Sequence, residues 1–475
     1  MNTQQFYING AWVDPVSAGT IEVVNPATQN VIYQLANATS SDVDLAVSAA
    51  KNAFPHYSLI SLNERVELLE DINALLIKRN DEIADAISLE MGAPISLARN
   101  AQAPSGSQHF AEMIEVLKKF RSSSTTSNGT FVRKEPIGTC ALITPWNWPL
   151  NQIATKVAPA LAAGCTMVLK PSEIAPLDAI ILAEILHEAG VPKGVFNLIH
   201  GTGASIGNSL TSHKDIDMVS FTGSTRAGIA ISQSAAPSIK RVALELGGKS
   251  AGIVYGKVDA SKVAQQIVDS SMLNSGQSCN ALTRVLVASD QYDEICKEII
   301  QCMQALSVDM PQQSPNLGPV SNAAQYKKVL GFIQSGIDSG ATLLTGGADM
   351  PSHLEKGFFV KPTLFGDVTP DMTIAREEIF GPVLCLMKYQ ELSAAIDIAN
   401  ASEYGLSGFV WCDDHDNAVN IADQLRTGMV HLNGAGLDAS APFGGYKMSG
   451  NGREWGAFGL EEYLECKSIY GGAKN

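Results

Sequence analysis

What the 475-residue sequence lacks narrows its function before any motif is considered. No stretch approaches the ~18 uninterrupted apolar residues of a membrane-spanning helix. The longest apolar-rich run, Val157 to Leu169, is broken by Pro159 and Gly164. The opening residues, Met1 to Gln5, have neither the basic start of a secretory leader nor an Arg-rich composition, so a cytoplasmic protein is expected. Cations are scarce: 33 Lys+Arg against 48 Asp+Glu leave a net charge of −15, which repels phosphate backbones and anionic bilayers. Neither a nucleic-acid nor a membrane partner is expected. The eight cysteines (Cys140, Cys165, Cys279, Cys296, Cys302, Cys385, Cys412 and Cys466) form no CxxC pair and no cluster with histidine at zinc spacing. That argues against a structural metal and against a disulfide framework, and directs attention to a single reactive thiol.

What is present is core material. Hydrophobic residues make up 45% and charged residues 17% of a chain long enough for about three domain equivalents, at ~150 residues each, which excludes disorder as the main state. Phe6 to Val13, with Asn9-Gly10 at its centre, predicts a β-hairpin. Val43, Ala46, Val47 and Ala50 mark one helical face over 41–54, and helical patterning runs on from Leu62 to Met91 until Gly92-Ala-Pro94. The Ser/Thr-rich tract 121–130 predicts an exposed excursion. Strands are then expected near 139–144, 166–170, 195–199, 218–221 and 241–246, alternating with helices near 150–162, 178–188, 204–210 and 227–235. This alternation predicts a doubly wound parallel sheet with a nucleotide-type site beyond its carboxyl edge. Helical patterns at 259–273, 289–305, 322–339 and 415–426 predict a second α/β domain.

Two Gly-rich turns stand out, Glu245-Leu-Gly-Gly-Lys-Ser250 after a strand and Asn274-Ser-Gly-Gln-Ser-Cys-Asn280 after a helix. A cysteine flanked by Gly, Ser and Asn suits an exposed nucleophile, although taken alone Cys279 reads first as a bland packing cysteine, the commoner case. Likewise Asn147 in Trp146-Asn-Trp148 reads by itself as an Asx-turn cap, Glu245 as a solvated strand-end charge, and Gly223 to Gly228 as a strand-to-helix turn. Gly201-Thr-Gly-Ala-Ser-Ile-Gly207 looks like a dinucleotide fingerprint but has one residue too many before its last glycine and follows the third strand, so it is read as a loop.

Seven segments in order change these readings: Pro145-Trp-Asn-Trp-Pro149, Lys170-Pro-Ser-Glu173, Phe221-Thr-Gly-Ser-Thr225, Glu245-Leu-Gly-Gly248, Gly276-Gln-Ser-Cys279, Glu378-Ile-Phe-Gly-Pro382 and Pro442-Phe-Gly-Gly-Tyr-Lys447. With them nearly the whole chain resembles the NAD(P)-dependent aldehyde dehydrogenase superfamily, of the non-acylating type. The resemblance implies a Rossmann-like NAD-binding domain (1–117 and 138–246), an α/β catalytic domain (247–445) and a small β oligomerisation element (118–137 and 446–475) in a homodimer or homotetramer. It implies Cys279 as nucleophile, Glu245 as the base that activates water, and Asn147 as donor to an oxyanion. Cofactor contacts are implied for Ile143, Thr144, Pro145, Trp146, Lys170, Ser172, Glu173, Thr222, Gly223, Ser224, Gly228, Leu246, Glu378 and Phe380. An acidic residue at 173 suits ribose hydroxyls and repels a 2′-phosphate, which favours NAD over NADP. No metal is implied.

By motif offset, the aldehyde tunnel is expected to be lined by Trp148, Asn151, Gln152, Thr155, Ser278, Asn280 and the loop 434–443, a mixed aromatic and polar set with no clear cationic anchor. The run from Tyr463 to Tyr470 has no evident place in either domain and is expected to add a strand across a subunit boundary. The rival readings are a CoA-acylating relative, against which Glu245 argues, a non-catalytic structural protein on this fold, and a thiol esterase using the same cysteine.

Overall fold

Asn9 and Gly10, both at positive φ (53° and 77°), turn the chain between the strands Phe6–Ile8 and Ala11–Val13. The computed structural model describes residues 2–17 and 19–472. This hairpin lies at one edge of an eight-stranded sheet whose five central strands, Arg241–Glu245, Met218–Thr222, Thr139–Ile143, Thr166–Lys170 and Phe196–Leu198, are parallel and adjacent in that order. The chain therefore runs outward from Thr139–Ile143 in one direction and then returns to its other side with Met218–Thr222. Between these two strands the direction of winding switches, which opens a crevice at their carboxyl ends.

Both faces of this sheet are covered. Val43, Ala46, Val47 and Ala50 of the helix Ser40–Tyr57 are fully buried and pack with Val168 and Val219. The other face packs against Pro149–Ala163 and Leu177–Glu188, with Leu69 and Phe110 beyond. A second, seven-stranded sheet is built from Thr342–Thr345, Thr363–Gly366, Val383–Tyr389, Leu282–Ala288, Ser250–Tyr255, Ser407–Cys412 and Met429–Leu432. All of its pairings are parallel except that between the first two strands.

Four readings need correction. The helical stretch 62–91 is two helices, Leu62–Lys78 and Asn80–Met91, since Arg79 between them leaves helical geometry (φ −98°, ψ 16°); its guanidinium is held by Glu82 and Glu184, each at 2.7 Å. Asp81 and Glu82 favour the new N-terminus electrostatically. The fingerprint-like segment is loop only at its start: Thr202 caps a helical turn, Gly203–Gly207, that runs into Asn208–Thr211, in line with the helix expected near 204–210. The strand Leu464–Ile469 does have a place in its own chain, as an edge strand whose outer side is unpaired among the described residues. It pairs antiparallel with Phe131–Pro136, from Leu464↔Pro136 to Ile469↔Phe131, and with Ser123–Thr125 makes a protruding three-stranded sheet. The excursion thus supplies the edge that the C-terminal run covers. Finally, the tail from 446 is not one piece with that sheet, since Gly450–Asn451 pairs with Leu244 and Glu245 at the edge of the first sheet.

Candidate active site

The turn that presents Cys279 is held by an unusual backbone. After the helix Ala260–Met272, Asn274, Ser275 and Gly276 are all left-handed, with φ of 56°, 55° and 70°. A single non-glycine residue in this region is uncommon, so two in succession require firm support. Asn274 Nδ2 donates to the Asn147 carbonyl at 2.7 Å, and its Oδ1 accepts from Gln102 Nε2 at 2.9 Å. Ser275 Oγ donates to the Gly318 carbonyl at 2.9 Å, and Gln277 Oε1 accepts from Ser321 N–H at 2.9 Å. At Gly276 a Cβ would stand 2.2 Å from the Gly381 carbonyl oxygen, so only glycine fits. Cys279 then emerges, partly buried, just before the strand Leu282–Ala288.

Cys279 is shared by two cavities. One, of about 180 Å³, is the crevice at the winding switch, lined by Pro145, Trp146 and Asn147 from one strand end, by Thr222 to Ser224 from the next, and by Glu245 to Gly247. Glu378 and Phe380, just before the strand Val383–Tyr389 of the second sheet, close it. The other, of about 340 Å³, opens on the opposite side of the thiol between Trp148, Gln152, Phe443 and Trp455. A thiol placed where two cavities meet can touch a different molecule through each.

The electrostatics fit covalent chemistry that needs a base. Burial, then the carboxylates of Glu245 and Glu378, push the Cys279 thiol up, so at rest it keeps its proton. Glu245 ends the strand Arg241–Glu245, is 4% exposed, and neither carboxyl oxygen has a hydrogen-bond partner among the described residues. Burial, and next the nearby Glu454 carboxylate, hold its pKa well above the ordinary 4.5. A Cβ at Gly444 would lie 2.8 Å from Glu245 Oε1, so the glycine there leaves the carboxyl room. Glu454, which forms a buried ion pair with Lys156, also lines the larger cavity. Asn147 is buried, and its Nδ2 donates to the Gln277 carbonyl at 3.0 Å, leaving one N–H of that amide for another acceptor.

The expected cofactor contacts divide. Pro145, Trp146, Thr222, Gly223, Ser224, Leu246, Glu378 and Phe380 meet in the smaller cavity, where the Trp146 and Phe380 rings lie edge to face at 5.5 Å. Glu378 Oε1 accepts from Gly248 N–H at 3.0 Å. Ser224 Oγ is engaged as a helix cap, accepting from Ala227 N–H at 3.3 Å. Ile143, Thr144, Lys170, Ser172, Glu173 and Gly228 lie outside that cavity. Ile143 is core, and Thr144 follows it with a buried hydroxyl that has no partner among the described residues. Lys170 Nζ donates to the Pro171 carbonyl at 3.0 Å and faces Glu173 at 3.4 Å, at the end of the neighbouring strand. Ser172 Oγ accepts from Ile174 N–H within that turn. Gly228 serves packing, since a Cβ there would come 2.8 Å from the Leu246 side chain.

Trp148, Asn151, Gln152, Thr155, Ser278, Asn280 and much of the 434–443 loop line the larger cavity. Not foreseen from the sequence were Phe409, His431, Glu454 and Trp455 in that cavity, and Gln325 and Lys328 in the smaller one. The last two lie three apart on the helix Ala323–Asp338, a spacing that could have marked a shared face. Gln325 Nε2 donates to the Ile379 and Phe380 carbonyls at 3.0 and 2.7 Å and so supports Phe380 at its positive φ of 60°.

Known proteins resemble the chain in sequence and fold. The chain is 52% identical over 477 residues to a 3-succinoylsemialdehyde-pyridine dehydrogenase from a Pseudomonas species, covering 98% of each chain. Among solved structures it matches a mutant of aldehyde dehydrogenase C from Pseudomonas syringae, in complex with NAD+ and octanal, at 46% identity and a TM-score of 0.97, covering 98% of this chain and 96% of the other. Betaine aldehyde dehydrogenase from Staphylococcus aureus in complex with NAD+ matches at 34% identity and a TM-score of 0.95, covering 98% and 95%. Residues 12–469 match the model of the aldehyde dehydrogenase family, and the chain belongs to that family.

Proposed function

We propose that this enzyme oxidises an aldehyde to a free carboxylic acid with NAD, through a covalent intermediate on Cys279. The observation that carries this reading is the position of the thiol between two cavities, with an unpartnered buried carboxylate beside it. The smaller cavity suits a nicotinamide: it lies at the winding switch, presents aromatic edges, and holds Thr222 Oγ1, a buried hydroxyl without a partner among the described residues. Pro145, Trp146, Leu246, Glu378 and Phe380 would hold the ring and its ribose. When bound, NAD supplies the hydride acceptor.

The chain's own residues do the rest. Glu245 takes the proton from Cys279, whose raised pKa otherwise leaves it a poor nucleophile at neutral pH. Sγ then bonds to the carbonyl carbon that enters through the larger cavity. The carbonyl oxygen becomes an oxyanion, to which the Asn147 amide and the Cys279 backbone N–H donate. Loss of hydride from that carbon leaves a thioester on Cys279. Once Glu245 has passed the thiol proton to solvent, its carboxylate accepts a proton from water as the water attacks; the C–S bond breaks, the Cys279 thiolate leaves and takes that proton back, and the acid departs. The carboxylate at 245 favours this hydrolytic outcome over transfer to CoA, and added CoA is expected to leave the product a free acid. NADH formation measured over a panel of aldehydes, with and without CoA, tests the reading; acyl-CoA as the main product overturns it.

Glu173 we assign to the ribose hydroxyls of the cofactor, where its charge disfavours a 2′-phosphate. Glu173→Ala is expected to raise KM for NAD by about five- to tenfold, the scale of one or two hydrogen bonds of about 1 kcal/mol or less each, and to narrow the gap to NADP. An unchanged NAD/NADP ratio of kcat/KM refutes the assignment. The protruding sheet of Ser123–Thr125, Phe131–Pro136 and Leu464–Ile469 we assign to contact between copies of the chain in a dimer or tetramer. Removing 464–475 exposes the edge of Phe131–Pro136 and is expected to shift the mass seen by light scattering to smaller species; an unchanged mass counts against this role.

A further inference from the structure

The larger cavity holds a polar device that the chemistry at Cys279 does not use. Asn151, on the helix Pro149–Ala163, lines its wall. Behind it, on the helix Ala103–Lys119, His109 is 8% exposed, with Nε2 2.9 Å from Asn151 Oδ1 and its ring against that of Trp455 at 5.2 Å. Burial draws the His109 pKa down to about 4, so the ring is neutral at pH 7. A neutral imidazole nitrogen that faces an amide oxygen must carry the ring's one proton and donate it. The amide is thereby turned so that its oxygen is held behind the wall, and Nδ2, with two N–H donors, has no acceptor among the described residues. Gln152 beside it also lends no side-chain amide to a bond among the described residues. Trp148 Nε1, in contrast, is engaged by Ser278 Oγ at 2.7 Å.

The rest of the lining limits what these donors can meet. Trp148, Phe409, Phe443 and Trp455 supply aromatic surface. Among the described lining residues there is no Lys or Arg, and the charged groups, Asp269 and Glu454, are both acidic. An anionic tail finds no cation there and meets acidic groups, whereas a neutral acceptor finds an oriented N–H without that repulsion. We propose that Asn151 determines specificity, with His109 as its positioning residue, and that the cavity selects neutral aldehydes bearing an aromatic ring and a hydrogen-bond acceptor such as a ketone oxygen. This rests on reading the cavity as the aldehyde's path to Cys279.

A matched pair tests it. For 4-oxo-4-phenylbutanal and 4-phenylbutanal, which differ only in the ketone, the wild type is expected to favour the ketone in kcat/KM by about five- to tenfold, the scale of one neutral hydrogen bond. Asn151→Leu is expected to bring that ratio to about one, and His109→Leu to lower it. His109→Gln, which keeps a donor near the place of Nε2, is expected to restore it. A wild-type ratio of one, or a ratio that Asn151→Leu leaves unchanged, overturns the proposal. Binding separates this from the catalytic reading: quenching of tryptophan fluorescence should show 1-phenylbutan-1-one bound more tightly than butylbenzene by a similar factor, and Asn151→Leu should abolish the difference. Equal affinities in the wild type overturn the proposal. If the ketone is preferred in binding but neither aldehyde yields NADH, the proposal stands and the oxidative reading falls.

Discussion

Cys279→Ala is expected to lower kcat for aldehyde oxidation by more than about 10⁴-fold while the dissociation constant for NAD stays within about twofold. The size follows from the loss of a covalent route, which in nucleophilic enzymes removes most of the rate enhancement. The selectivity follows from geometry, since the thiol forms only one edge of the smaller cavity and most of that lining is untouched. Alkylation gives a second readout, provided the right cysteine is followed. Cys466 is the exposed cysteine of the protein, on the strand Leu464–Ile469, whereas Cys279 is partly buried. Iodoacetamide is therefore expected to inactivate in step with labelling of Cys279, whether or not Cys466 is labelled as well. Inactivation that follows Cys466, Cys302 or Cys165 instead would place the nucleophile elsewhere.

Glu245→Gln is expected to reduce steady-state turnover by about 10²–10⁴-fold, the usual contribution of a positioned general base. The amide keeps the shape of the carboxylate but cannot take a proton from water. If Glu245 served water alone, a rapid first turnover of NADH would survive in full. Because the Cys279 thiol is itself pushed up and needs a base, the same substitution is expected to slow that first turnover too, though less than hydrolysis. The pH dependence gives the sign. Glu245 acts as a carboxylate, and burial raises its pKa above 4.5, so activity in the wild type should rise with pH through a limb displaced upward from the ordinary carboxyl range. That limb should vanish in Glu245→Gln. A full-rate burst followed by normal turnover would remove Glu245 from both steps.

Much of this was legible in the sequence because the relevant signals are local. The strand Thr166–Lys170 and the helices Pro149–Ala163 and Leu177–Glu188 follow from short β-branched runs, apolar periodicity and the Gly164 and Gly190 stops that follow those helices. The cysteine, the asparagine and the carboxylate of the site were each marked by a Gly-rich or aromatic turn. What escaped was non-local. The partner of Leu464–Ile469 lies more than 300 residues away along the chain, and nothing in either segment names the other. Glu454 reaches the site only because Phe443 and Glu454 form an antiparallel bridge that folds the tail back. Ser172 and Gly228 lie within recognisable motifs, yet one locks a turn and the other lets a helix approach Leu246. Motif membership there reports on packing as much as on ligand contact. The break at Arg79 was hidden because no glycine or proline marks it.

The central claim, that the acyl group is carried on Cys279 where the two cavities meet, is tested most directly by mass spectrometry of Glu245→Gln quenched with acid after mixing with NAD and an aldehyde that the wild type oxidises. The account predicts that the peptide containing Cys279 gains the mass of the acyl group, in proportion to the NADH formed, and that hydroxylamine removes it. NADH formed with no acyl group on Cys279, or with the acyl group on another cysteine, would contradict it.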